Sequence, residues 1–204
     1  AMLGFPMHAV YRPLDLKPLD RWVRRTRETR GLSLVSKFGA VRDLPPILER
    51  REPVGLVADQ NGGDRGIFVP FFGRLTSSYK SVAFLAMQSR ATIVCGMARR
   101  LPDGELRTRD PGSLGYQVES FDVFGPEDWE QHPDPPFYIT ARYRRAIEMM
   151  VRAAPEQYLW MHRIWRSRPA HERFDKPFPP ALADKLRTLP WLTEDDVARV
   201  VGGS

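Results

Sequence analysis

The apolar residues of this chain come in short runs, and that limits its fold more than any other feature. Val54–Ala58, Ile67–Phe72, Thr92–Met97 and Tyr116–Phe124 are each strand-sized. None approaches the ~18 apolar residues that a membrane-spanning helix needs. Between these runs the spacing turns helical. Leu19–Arg30 reads as a basic helix stopped by Gly31. Val41–Arg51 predicts a helix starting near Asp43, because Pro45-Pro46 suits a first turn. Ser77–Ser89 puts Val82, Leu85 and Ala86 on one helical face. Ile139, Tyr143, Ala146, Ile147, Met150, Val151 and Ala154 recur at helical spacing, with Arg142, Arg144, Arg145 and Arg152 at other positions. Pro155 to Trp165 predicts another helix. Gly125–Pro136 reads as loop. Thr193-Glu194-Asp195-Asp196 has the form of a capping box. The strand–helix alternation predicts an α/β fold, a sheet covered by helices.

Composition narrows the function. The 204 residues fit one domain, and 42% hydrophobic with 27% charged residues excludes disorder. One cysteine excludes an intrachain disulfide framework and a multi-cysteine zinc site, and Cys95 reads as a buried thiol. The net charge is +6, carried by 26 Arg against 5 Lys. Such a surface suits nucleic acid, anionic lipid headgroups or an acidic protein. The arginines are scattered, which argues against a disordered basic arm.

Most motif tests fail. Asp59, Asn61 and Asp64 suggest an oxygen-ligand loop, but Gly63 and Asp64 stand where an EF-hand needs Asp or Asn and then Gly. No phosphate-binding glycine loop and no nucleophile elbow occur. Trp160, His162, Arg163, Trp165, Arg166 and Arg168 interleave aromatic and basic groups, as single-strand binders do. Tyr158, Leu159, Met161, Ile164 and Trp165 also read as the buried face of a helix, and that reading leaves nucleic acid out. The loop opened by Asp59 follows a strand, the place where α/β proteins put their sites.

Two segments carry a family resemblance. One is Val54-Gly55-Leu56-Val57-Ala58-Asp59-Gln60 followed by Gly66-Ile67-Phe68-Val69-Pro70-Phe71-Phe72-Gly73. The other is Pro155-Glu156-Gln157-Tyr158-Leu159-Trp160-Met161-His162-Arg163 followed by Arg166-Ser167-Arg168-Pro169. Together with Val10-Tyr11-Arg12-Pro13 and Arg99-Arg100-Leu101-Pro102-Asp103-Gly104, in that order along the chain, they resemble the late acyltransferases of lipid A biosynthesis, of the lauroyl and myristoyl type. The resemblance runs to about residue 169, and residues 170–204 form an extension with no clear counterpart.

The resemblance implies a fold like that of the glycerol-phosphate acyltransferases, a mixed sheet covered by helices. It implies transfer of a fatty acyl chain from acyl carrier protein, or coenzyme A, to a hydroxyl of a phosphorylated glycolipid. The acyl thioester is a co-substrate, and no cofactor or metal is implied. The setting implied is the cytoplasmic face of a bacterial inner membrane. The family uses a His-x-x-x-x-Asp/Glu motif for proton removal. Here Pro13, Phe137, Ser167 and Lys176 stand five positions after His8, His132, His162 and His171. The chain is therefore expected to be the carboxy-terminal part of a longer domain, incomplete at its amino terminus, with the motif upstream. What it contains should grip the acceptor. By resemblance Arg27 and Arg30 are the first phosphate candidates and Arg12 the next. Asp59 stands where the family has an acidic residue near the active centre, with Gln60 beside it. Phe68, Pro70, Phe71 and Phe72 are expected in the core. Other acceptor lipids, and a non-catalytic role in binding anionic lipid or nucleic acid, are the alternatives.

Overall fold

The computed structural model describes residues 6–29, 31–102 and 115–203. Its class is α/β. The strands divide into one parallel sheet and two antiparallel hairpins. The chain forms two compact units. One is made of residues up to Ala58 together with Phe84–Ala91, the other of Asp59–Ala83 and the chain from Thr92 onward.

The first unit is a small parallel sheet. Strand β1 (Met7–Tyr11) lies between β2 (Leu32–Ser36) and β3 (Val54–Gly55), parallel to both. Helix α1 (Lys17–Glu28) joins β1 to β2. Parallel neighbours need such a crossover, so α1 returns the chain from the carboxyl edge of the sheet to its amino edge. Pro18 stands in its first turn, and Arg25 and Arg27 in its last turn complement the helix dipole. The expected single helix around Pro45-Pro46 is two short ones, α2 (Ala40–Asp43) and α3 (Pro45–Glu49). Pro45 starts α3, the one place where its missing N–H costs nothing.

The second unit is built on a hairpin and a long helix. Strands β4 (Ile67–Phe71) and β5 (Arg74–Ser78) pair antiparallel through the two-residue turn Phe72-Gly73. Both turn residues have positive φ, 52° and 72°, as a type I′ hairpin requires. Phe72 pays for that conformation with contacts: its N–H donates to Glu148 at 2.6 Å, and its ring meets Phe71 edge-on at 4.8 Å. Helix α4 (Lys80–Ser89) follows in the chain, its residues from Phe84 counting with the first unit, and Ala83 and Ala86 are buried. The second hairpin is β6 (Ile93–Arg100) with β7 (Tyr116–Phe124). The segment read as loop after it contains a short helix, α5 (Pro126–Trp129), whose Trp129 packs edge-on against Phe124.

Helix α6 (Pro135–Ala153) is the spine of this unit. Asp134 caps it, accepting from the Phe137 N–H at 3.1 Å. Phe71, Val151 and Ile164 form a core cluster with Phe72, Ile147, Tyr158 and Trp165 packed on it. Phe71 is therefore core, as expected, while Phe68 and Pro70 are half-buried. The helix expected over Pro155–Trp165 is only a 3-10 turn, Pro155–Gln157, followed by irregular chain. Residues 170–203 pack within the same unit through α7 (Ala170–Arg173), α8 (Pro180–Arg187) and α9 (Glu194–Gly202). Leu186, Leu189, Val197 and Val200 are buried, and Trp191 packs on Tyr138 at 5.4 Å. Thr193 and Asp196 form the capping box of α9.

Candidate functional site

In the first unit the site candidates are arginines on the rim of the parallel sheet. The strand order β2-β1-β3 sends the chain from β1 to one side and then across to the other. The carboxyl end of β1 is thus a switch point, where open α/β sheets bind ligands. Arg12 follows the last residue of β1 and is exposed. Arg27 is exposed on the last turn of α1. Among the described residues neither guanidinium has a partner. Arg12 stands at the carboxyl end of β1 and Arg27 in the last turn of α1, and among the described residues no contact joins them. Arg30 lies outside the described residues.

Asp59 and Gln60 open the second unit, in the polar loop before β4. The loop has little regular structure, so side chains satisfy its backbone. The Asn61 N–H donates to Nε2 of His162 at 3.3 Å, and the Asn61 amide donates to the Ile164 carbonyl at 2.8 Å. Oδ1 of Asn61 accepts from the Gly63 N–H at 2.9 Å, a local turn. The Gly62 N–H donates to the Ser77 carbonyl at 2.9 Å, and the Ser77 hydroxyl donates to the Gly63 carbonyl. Two glycines permit this closeness. A Cβ on Gly62 would lie 2.5 Å from the Ser78 carbonyl carbon, and one on Gly66 would lie 2.1 Å from the Ser77 hydroxyl.

Arg144 of α6 ties the start of the loop. Its residue exposure is 0%. Nε donates to the Ser78 hydroxyl at 3.0 Å, one terminal nitrogen to the Asp59 carbonyl at 3.0 Å, and the other to the Gln60 carbonyl at 3.2 Å. The guanidinium carbon stands 5.4 Å from the centre of the Phe71 ring and 5.9 Å from that of Tyr143. Burial pushes the Arg144 pKa down, against the pull of Tyr143, Tyr158 and Asp59. The Asp59 carboxylate, although near, accepts no bond from it: Oδ1 of Asp59 is buried with no hydrogen-bond partner. The Tyr158 hydroxyl donates to the Asp59 carbonyl at 3.5 Å, and burial followed by the Asp59 charge raises the Tyr158 pKa. The Gln60 side chain is exposed.

The structure thus supplies a loop whose backbone is anchored and whose carboxylate is uncommitted. Sequence reading picked out Asp59 and Gln60, named His162 only within an aromatic and basic run, and missed Arg144, Ser77 and Ser78 as their supports. A signal for Arg144 existed. Thr140, Arg144 and Glu148 stand four residues apart and form a polar row on one side of α6, and Thr140 and Arg144 are fully buried. Among the described residues no cluster of His, Cys, Asp or Glu could hold a metal ion, and no helix is long and apolar enough to cross a membrane.

Comparison with known proteins gives one consistent picture. Residues 3–167 match the family described as bacterial lipid A biosynthesis acyltransferase. The chain is 28% identical over 166 residues to the lipid A biosynthesis lauroyltransferase of Escherichia coli K12, covering 80% of this chain and 50% of that protein. It is 26% identical over 170 residues to the lipid A biosynthesis palmitoleoyltransferase of the same organism, covering 82% and 50%. A lipid A biosynthesis acyltransferase of Haemophilus influenzae is 24% identical over 172 residues, covering 81% and 48%. The chain spans about half the length of these relatives.

Proposed function

The chain belongs to the bacterial lipid A biosynthesis acyltransferase family, and on that premise we propose that it is the acceptor-gripping part of an enzyme that acylates a phosphorylated glycolipid of the lipid A type. The family match over residues 3–167 carries this reading. In the reaction an acceptor hydroxyl oxygen attacks the carbonyl carbon of an acyl thioester. The new C–O ester bond forms, the C–S bond breaks, and the thiol of acyl carrier protein or coenzyme A leaves. A general base takes the hydroxyl proton.

None of the four histidines here stands five residues before an acid, so this chain does not supply the His-x-x-x-x-Asp/Glu pair. It supplies charge and orientation. Arg12 and Arg27, exposed and without partners among the described residues, bind phosphate groups through paired N–H donors, with Arg30 beside Arg27 in sequence. Asp59 orients the acceptor sugar through its carboxylate, with Gln60 beside it. The reaction takes place on the cytoplasmic face of the inner membrane, where both the thioester and the lipid are available.

The test compares lipid extracts of a wild-type strain and one lacking this gene by mass spectrometry. Lipid A that is lighter by one acyl chain is the expected result. Unchanged lipid A with a chain lost from another glycolipid or lysolipid would replace the acceptor. No acyl change in any lipid would overturn the reading and favour a binding role.

A further inference from the structure

Arg144 is an unusual use of a buried charge. Taking a guanidinium out of water costs several kcal/mol, and a buried arginine ordinarily recovers that through a carboxylate. Here a carboxylate is near, yet the donors of Arg144 go to two main-chain carbonyls and one hydroxyl. The Asp59 carboxylate keeps a buried oxygen without a partner. An unmade bond of that kind is itself unfavourable. A purely structural arginine would satisfy both groups at once by pairing them. The arrangement instead fixes where Asp59 sits and leaves its carboxylate uncaptured.

We propose that Arg144 is a positioning residue for Asp59: by gripping the Asp59 and Gln60 carbonyls and the Ser78 hydroxyl, it sets the carboxylate in place without neutralising it by an ion pair. The inference deepens the acyltransferase reading and rests on it. Three elements meet at the guanidinium: the Asp59–Gln60 loop, the end of β5 at Ser78, and α6 itself. The flanking Phe71 and Tyr143 rings hold its plane. A lysine would keep the charge and lose the three-way fork.

The test is a double-mutant cycle in the full-length gene product, with Arg144→Lys, Asp59→Asn and the pair. The readout is kcat/KM for the glycolipid acceptor. Arg144→Lys is expected to lower it by about tenfold or more in the wild-type background and by little once Asp59 is already Asn, since coupled residues are strongly non-additive. Fully additive effects would overturn the proposal, because damage to folding alone does not depend on Asp59. If Arg144→Lys does not fold, Ser78→Ala removes only the Nε partner and goes through the same cycle with the same two outcomes. Amide hydrogen exchange of the full-length gene product reads the geometry without the reaction. Arg144→Lys should speed exchange at Asn61, Gly62 and Gly63 and leave β6 and β7 unchanged, and unaltered exchange in the loop would overturn the proposal. A wild-type protein that transfers no acyl group contradicts the acyltransferase reading itself, and the exchange result still decides whether Arg144 positions the loop.

Discussion

Arg142 and Arg144 stand two positions apart on α6 and meet opposite surroundings. Arg142 makes paired bonds to Asp122 at 2.9 and 3.0 Å, another to Asp128 at 2.8 Å, and lies over the Phe124 ring. Burial opposes its charge, but the two carboxylates and Tyr138 more than offset this and raise its pKa. Removing it leaves Asp122 half-buried and unpaired. Arg142→Ala should cost about 1.5–3 kcal/mol in urea unfolding, the range for hydrogen bonds to charged groups; a change within error would contradict this network's role in stability. Sequence periodicity set both arginines apart from the apolar positions and could not tell them from each other, because their partners Asp122, Ser78 and Asp59 are distant in sequence. Cys95 was legible, since a thiol inside Ile93-Val94-Cys95-Gly96-Met97 has an apolar setting. Burial pushes its pKa from 9.0 up to about 12. The sign follows: below 9 the thiol is protonated in both states, and between 9 and 12 only the unfolded thiol ionises, so stability falls over that window. At pH 8 the native thiol should therefore resist iodoacetamide and react rapidly once the protein is unfolded, as mass spectrometry would show. Equal labelling rates would contradict its burial.

At the scale of elements, the regular pieces were the legible ones. Helix α1, β7, α6 and the capping box of α9 all follow from periodicity and end signals. The expected helix over Ser77–Ser89 begins later, at Lys80, because Leu75-Thr76-Ser77-Ser78 is strand. Its buried positions are mostly hydroxyls, so no apolar alternation announces it. Those hydroxyls serve the loop: Thr76 donates to the Ile164 carbonyl at 2.8 Å, Ser77 to the Gly63 carbonyl, and Ser78 accepts from Arg144. The helix expected over Pro155–Trp165 fails for a related reason. Side chains take the main-chain acceptors there, the Trp160 indole bonding the Pro155 carbonyl at 2.7 Å and Asn61 the Ile164 carbonyl. Ile164 is buried while Met161 is 89% exposed, which the periodic pattern did not separate. The loop and β5 thus form one cross-tied element, and Gly66 is its tightest point. Gly66→Ala should cost about 1–3 kcal/mol by forcing β5 aside, measured by thermal unfolding. Wild-type stability in that variant would show that the contact is slack.

For the whole molecule, charge and family point the same way. The excess of arginine suits a surface that works against anionic lipid, and attraction of this kind is screened by salt. Sedimentation with anionic vesicles should be strong at low salt and largely lost near ~1 M, where the screening length is about 3 Å. Equal binding to neutral vesicles would contradict an electrostatic grip. Arg12 and Asp59 were legible as candidates, one from its place after a strand and both from the family resemblance. The architecture that holds Asp59 was not, because it is assembled from side chains up to about a hundred positions away, such as His162 on the Asn61 N–H. This chain is proposed to grip the lipid acceptor of an acyl transfer. A direct measurement is to incubate the full-length gene product with a labelled acyl carrier protein thioester and a phosphorylated glycolipid of the lipid A type, beside its Asp59→Asn variant and this 204-residue chain alone. Ester-linked label on the lipid is expected, at least about tenfold less with the variant, as loss of orientation costs, and none with the chain alone; no label from the full-length protein, or undiminished label from the variant, would refute the proposed grip.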